Sequence, residues 1–165
     1  MATIDLATRS GTARPSLFKA VGSPYVVEVT VDLADAVTAK GSALAANDVI
    51  EALDLPAGTV VLSAGMRVDE AMTGTSTDAT VDFGITGGDV DKFVDGFDID
   101  GASVGDYAPI AAGAASAQLV TADDTADILI VTQTGTLLTG KLSVWAVLVD
   151  VTDKNSNPGR AMIGS

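Results

Sequence analysis

Residues 25–32 read Tyr-Val-Val-Glu-Val-Thr-Val-Asp, and an alternation this strict fits a strand and little else. Tyr25, Val27, Val29 and Val31 fall on one face, with Glu28, Thr30 and Asp32 on the other. That pattern describes a half-buried strand with one wet side. The same period returns from Thr59, where Val60, Leu62, Ala64, Met66 and Val68 are expected to point inward and Thr59, Ser63, Arg67 and Asp69 outward. A further strand is expected over Ala79–Ile85, with Val81, Phe83 and Ile85 inward. Asp127–Gln133 is almost continuously apolar, which predicts burial on both faces. In the last strand, Lys141–Val151, Leu142, Val144, Ala146 and Leu148 suit a core, yet Trp145, Val147, Val149 and Val151 make the opposite face apolar too.

The segments between these runs are less regular. Residues 34–46 are Ala-rich and suit a loop or a short helix. In Asn47–Leu55, Asp48 with Glu51 three residues on resembles a capping box. Pro56-Ala57-Gly58 cuts that segment short, so a short strand or one helical turn is expected. Residues 86–105 read as a long Asp/Gly loop, and 134–140 as a turn region. Composition agrees with strands and turns: the chain has 20 Val, 18 Thr and 17 Gly, and 19 of its 22 acids are Asp. Valine fits a pleated surface, and Asp competes for backbone N–H groups in turns and caps.

An all-β, antiparallel β-sandwich follows, although pattern alone does not separate meander, Greek key and jelly roll. The length of 165 residues suits one domain. Residues 1–24 lack periodicity and are expected to form an extended N-terminal arm. Residues 25–151 form the sandwich domain, and 152–165 a flexible C-terminal tail.

Histidine and cysteine are both absent. Without them there is no Ser-His or Cys-His catalysis, no disulfide and no ordinary zinc or haem site. No cofactor is expected, and the chain is read as not an enzyme. Its charge of −13 argues against nucleic acid as a partner. No membrane span is expected either, because the longest apolar run, Val144–Val149, is far short of the ~20 residues a bilayer needs. The first residues mix charge with Thr and Ser and lack an apolar signal-peptide core.

Three candidate chemistries are weak. Asp89, Asp91, Asp95, Asp98 and Asp100 offer calcium-type ligands. However, the EF-hand spacing fails, and a solvated loop anchored by Phe93, Val94, Phe97 and Ile99 reads better. Paired carboxylates for glycoside hydrolysis are inevitable among 22 acids, and only seven aromatic residues exist to build a sugar platform. Gly87-Gly88 has no following Gly-Lys-Ser/Thr to cradle phosphate.

Charge distribution says more. Residues 69–127 hold 13 acids and a single base, Lys92, whereas the arm carries Arg9, Arg14 and Lys19 against Asp5. Basic ends flanking an acidic body suit segments that lie on neighbouring subunits, or they serve solubility only. The Trp145, Val147 and Val149 face needs a cover, either a subunit interface or a second sheet within the monomer.

Several segments, in order, resemble the small head decoration (cement) proteins of tailed bacteriophages. They are Pro56-Ala-Gly-Thr59 entering a long alternating strand, Thr80-Val-Asp-Phe-Gly84, the loop Asp89-Val-Asp-Lys-Phe-Val94, and Asp127-Ile-Leu-Ile-Val131. Gly140 and a closing hydrophobic strand follow. The likeness covers roughly residues 25–151. It implies a jelly-roll-like sandwich, often a homotrimer, on the outer surface of an icosahedral head at threefold or quasi-threefold positions. The major capsid protein would be its partner, and it would clamp neighbouring capsid subunits after being made in the host cytoplasm. On this resemblance Arg9, Arg14 and Lys19 are candidate capsid contacts, and Trp145, Val147 and Val149 a candidate subunit interface. A β-sandwich binding module, a glycan- or calcium-dependent adhesion domain of a phage fibre or surface protein, is the alternative, with a jelly-roll major capsid subunit less favoured.

Overall fold

A computed structural model describes residues 2–5, 24–85, 88–108, 118–122 and 124–151. Its strands are β1 (Thr3–Asp5), β2 (Tyr25–Asp32), β3 (Val49–Leu55), β4 (Thr59–Gly74) and β5 (Asp78–Gly84). They continue as β6 (Val94–Asp98), β7 (Gln118–Leu119), β8 (Asp124–Thr134) and β9 (Leu137–Asp150), and helix α1 (Leu33–Lys40) joins β2 to β3. Two sheets form, ordered β1-β3-β8-β5-β6 and β2-β9-β4-β7.

The pairing has a simple logic. β2 pairs with β9, β3 with β8, β4 with β7 and β5 with β6, all antiparallel. These nested pairs describe one long hairpin ribbon, folded at β5–β6 and rolled so that β9 meets β4 and β8 meets β5. Eight strands wound in this way are a jelly roll, the all-β sandwich that pattern alone left open. β1 is an addition, running parallel to the edge strand β3.

Side-chain parity builds the core between the layers. Val31, Met66, Val68, Leu142, Val144, Ala146 and Leu148 from one sheet meet Ile50, Leu55, Val81, Phe83, Ile128 and Ile130 from the other, all buried. The Phe83 and Phe93 rings pack tilted, with centroids 5.6 Å apart. Helix α1 starts where the Asp32 carboxylate accepts from the Ala34 N–H at 2.9 Å, and it ends at Gly41, whose φ of 77° a residue with a Cβ adopts poorly.

The structure departs from the pattern at five places. Val61 rather than Val60 is buried in β4, and Leu62 is 44% exposed. The cause is a bulge between Val61 and Ser63, which inserts a residue and reverses parity before it. Residues 86–105 are not wholly loop, because β6 pairs with β5 there and Phe93, Val94 and Ile99 anchor it. In β8 only the Ile128 and Ile130 face meets the core, while Val131 is exposed, since a two-layer sandwich leaves each outer face uncovered by a sheet. The expected turn over 134–140 shrinks to Gly135-Thr136, between the end of β8 and the start of β9. Residues Thr3–Asp5 of the expected arm are a strand, three residues being too few for a pattern to register. The rest of that arm, 6–23, and the expected tail, 152–165, lie outside the described residues.

Candidate interaction surface

The outer face of the β2-β9-β4-β7 sheet is divided in two. Its apolar half gathers around Trp145. Val26 stands opposite Val147, which stands opposite Ser63, and Val149 stands opposite Val60. Val26 is 63% exposed, Leu62 projects from the bulge, and Leu119 and Val151 are exposed as well. Trp145, Val147 and Val149 are each half-buried. The core side of the same strand is completely covered, so the second sheet packs on the opposite face and does not cover Trp145.

Trp145 lies where it does because of a residue the sequence pattern did not single out. Gly65 stands opposite it in β4. A Cβ built there would lie 2.9 Å from Trp145 Cζ2 and 3.2 Å from Cε2, so the indole rests on the glycine backbone. The missing side chain lets a large ring lie against the sheet and present a broad apolar surface.

The other half of this face is charged and largely self-satisfied. Arg67 Nε donates to Asp69 Oδ1 at 2.7 Å, and Arg67 Nη2 sits 3.5 Å from Glu28 Oε1. Its guanidinium carbon is 5.9 Å from the Tyr107 ring centroid. The Ser143 hydroxyl donates to Asp69 and lies 3.1 Å from the Thr30 hydroxyl. Lys141 pairs with Glu70 at 3.0 Å and lies 3.7 Å from Asp32. The Arg67 guanidinium, with the Ser143 hydroxyl, holds the Asp69 carboxyl below its ordinary value. Asp69 in turn raises Arg67, and the Glu70 carboxylate raises Lys141. Exposed pairs like these are screened by solvent and contribute little stability. Their effect here is to satisfy one another, so the apolar half carries the capacity for recognition.

The acidic segment does not gather into a metal site. Asp98 accepts from the Asp100 and Gly101 amides at 3.0 Å each, a local turn bond, and Asp82 accepts from the Gly96 amide at 2.8 Å. A hydrogen bond shared with Asp89 raises the Asp91 carboxyl, and burial raises Asp82. Among the described residues no group of three or more acidic side chains converges on a point where a cation would sit.

Of the residues singled out in the sequence, the structure brings Trp145, Val147 and Val149 together on one face. Arg9, Arg14 and Lys19 lie outside the described residues. Val26 was not singled out in the sequence, although an apolar residue at a wet position of the Glu28 face is the signal that marks it. Leu62 was assigned to the wrong face by the unseen bulge, and Gly65 left no trace in the pattern.

No protein-family model matches the chain, and no curated protein matches it. Its fold does occur in solved structures. A chain in the capsid of Ralstonia phage GP4 is similar at a TM-score of 0.62 and 19% identity, over 88% of this chain and 97% of that one. A chain of the cyanophage Pam1 capsid asymmetric unit is similar at a TM-score of 0.56 and 20% identity, over 78% and 85%.

Proposed function

We propose, from a likeness to phage capsid components that spans 78–88% of the chain, that this protein is a structural component of a phage virion. In the specific form favoured here it is a decoration protein on the outer surface of an icosahedral head, clamping neighbouring major capsid subunits as a homotrimer at threefold or quasi-threefold positions. The observation that carries this reading is the match to 97% of the Ralstonia phage GP4 capsid chain. The match runs over most of both chains, 88% of this one and 97% of that one, and so is not a shared fragment. The Trp145, Val147 and Val149 face is the proposed contact between subunits, and Arg9, Arg14 and Lys19 in the basic segment are the proposed contacts with the capsid. No catalytic role is proposed.

The physics of such a role is mass action. A protein that binds only the assembled lattice stabilises it by RT ln(1 + [L]/Kd), about 2.7 kcal/mol per site at a hundredfold excess over Kd. Threefold attachment multiplies a modest single-site affinity, since the second and third contacts form at high effective concentration. A two-layer sandwich with an apolar outer patch supplies a rigid body for that purpose.

The test is to add purified protein to heads assembled without it. Saturable cosedimentation with ordered density at threefold positions is expected, along with a higher head-disruption temperature. Replacing Arg9, Arg14 and Lys19 with Ala should weaken that binding. Heads that take up no protein would refute the decoration role.

A further inference from the structure

The edge of β3 carries a built acceptor site, and residues 2–5 fill it. The Ala2 N–H donates to Asp48 Oδ1 at 3.1 Å, and the Val49 N–H donates to the Ala2 carbonyl at 2.9 Å. Thr3, Ile4 and Asp5 then pair in parallel with Val49, Ile50 and Glu51, and Ile4 is buried to 4% exposure in the common core. Asp48 is itself buried, and it also accepts from the Ala45 amide at 2.8 Å and from Lys40. Leaving this site vacant would open an isoleucine-sized hole, take a donor from a buried carboxylate and strip a buried amide of its acceptor. Each of those is unfavourable. Some copy of residues 2–5 must therefore occupy it.

Which copy is not dictated by local geometry, because the contacts are identical whether the strand comes from the same chain or another. β1 joins β2 through residues 6–24, although most connections in compact domains need only ~4–6 residues. From residue 5 to residue 24 the chain can reach roughly 60 Å, several times the ~10 Å between packed sheets. That connection holds Arg9, Arg14 and Lys19 and no acid, while every one of the 22 acids lies elsewhere in the chain. The connection's net charge is opposite to that of the acidic remainder of any copy, so charge does not oppose the approach of this segment to a second copy.

We infer that β1 is an exchanged strand: residues 2–5 of one copy complete the β3 edge of a second copy and tie the two together. Terminal elements on long connections are a low-cost route to such assemblies. The inference concerns two copies of this chain and stands apart from any capsid role.

The cysteine-free sequence allows a direct test. Asp5 and Glu51 are register partners across β1 and β3. D5C and E51C single variants are mixed, unfolded, refolded together at high concentration and mildly oxidised. An interchain disulfide joining tryptic peptide 1–9 of one variant to peptide 41–67 of the other is expected. Its yield should be at least tenfold above that of D5C mixed with the out-of-register D54C. If the single variants stay unlinked while the D5C/E51C double variant closes within its own chain, β1 belongs to its own body and the inference falls. If the double variant does not close at all, the β1–β3 pairing itself is wrong and the inference falls with it.

Discussion

Replacing Gly65 with Ala should lift the indole of Trp145 off the sheet. The new Cβ would sit 2.9 Å from Cζ2 and 3.2 Å from Cε2, whereas comfortable carbon–carbon contacts lie near ~3.5–4.0 Å. The ring must therefore move outward by roughly 0.5–1 Å, and being rigid it moves as a whole. Overpacking of this kind costs about 1–3 kcal/mol. Stiffening the unfolded chain by Gly→Ala offsets about 0.4–1 kcal/mol of that. A net loss of about 1 kcal/mol follows, or about 2–4 °C in Tm for a chain of this size. Trp145 is the only tryptophan, so intrinsic fluorescence reports this site alone. The expected result is a red-shifted emission maximum and stronger acrylamide quenching, together with the Tm loss. In a Trp145→Leu background the same substitution should be neutral or slightly stabilising, since the clash has gone. An unshifted emission maximum, or an equal Tm loss in both backgrounds, would refute the account of the glycine as a seat for the ring.

Two carboxylates should respond oppositely to pH. Burial pushes Asp48 up, but its bonds from Lys40 and from the Ala45 and Ala2 amides outweigh that and leave it lowered. Its stabilising effect is therefore present above the unfolded carboxyl value and lost as pH falls through the folded one. Asp48→Asn should cost about 2–3 kcal/mol by urea denaturation at pH 7, with the gap to wild type closing in strong acid. Asp82 is raised, by burial first and against the bond from the Gly96 amide, so folding favours its protonated form. Stability tied to Asp82 falls as pH rises from the unfolded value through the folded one. Asp82→Asn keeps an acceptor for Gly96 and should gain up to about 1 kcal/mol at neutral pH, with no gain in acid; a loss at pH 7 would contradict the assignment.

Strands whose side chains alternate without interruption could be read directly. Val81, Phe83 and Ile85 are buried as expected, and so are Leu142, Val144, Ala146 and Leu148. In each case a buried inner face imposes period two on the sequence. The same rule misplaced Val60 and Leu62, because a bulge adds one residue without any compositional mark. β6 went unseen since Val-Asp-Gly-Phe-Asp is a turn composition, held as a strand by pairing with β5 and by the flanking anchors Phe93 and Ile99. Asp48 was noticed as a possible helix cap with Glu51. It is instead the joint between Lys40, the 43–48 loop and the N-terminal strand, a role set by contacts distant in sequence. The apolar outer face was legible from Trp145, Val147 and Val149, but the cross-strand partners Val26 and Gly65 become neighbours only once the register is known.

Nested pairing also sets the order in which the chain can be completed. β9 is the last strand among the described residues, yet it lies between β2 and β4, with Tyr25 registered against Leu148 and Thr59 against Asp150. Until it arrives, β2 and β4 have no shared partner, and their inner faces have only half a layer to pack into. Closing so large a loop is slow, and chains dominated by distant pairings fold on millisecond to second timescales. A transcript truncated before residue 141 would lose the middle of a sheet and not its margin. The product would be two separated strand edges, each open to pairing with another nascent chain.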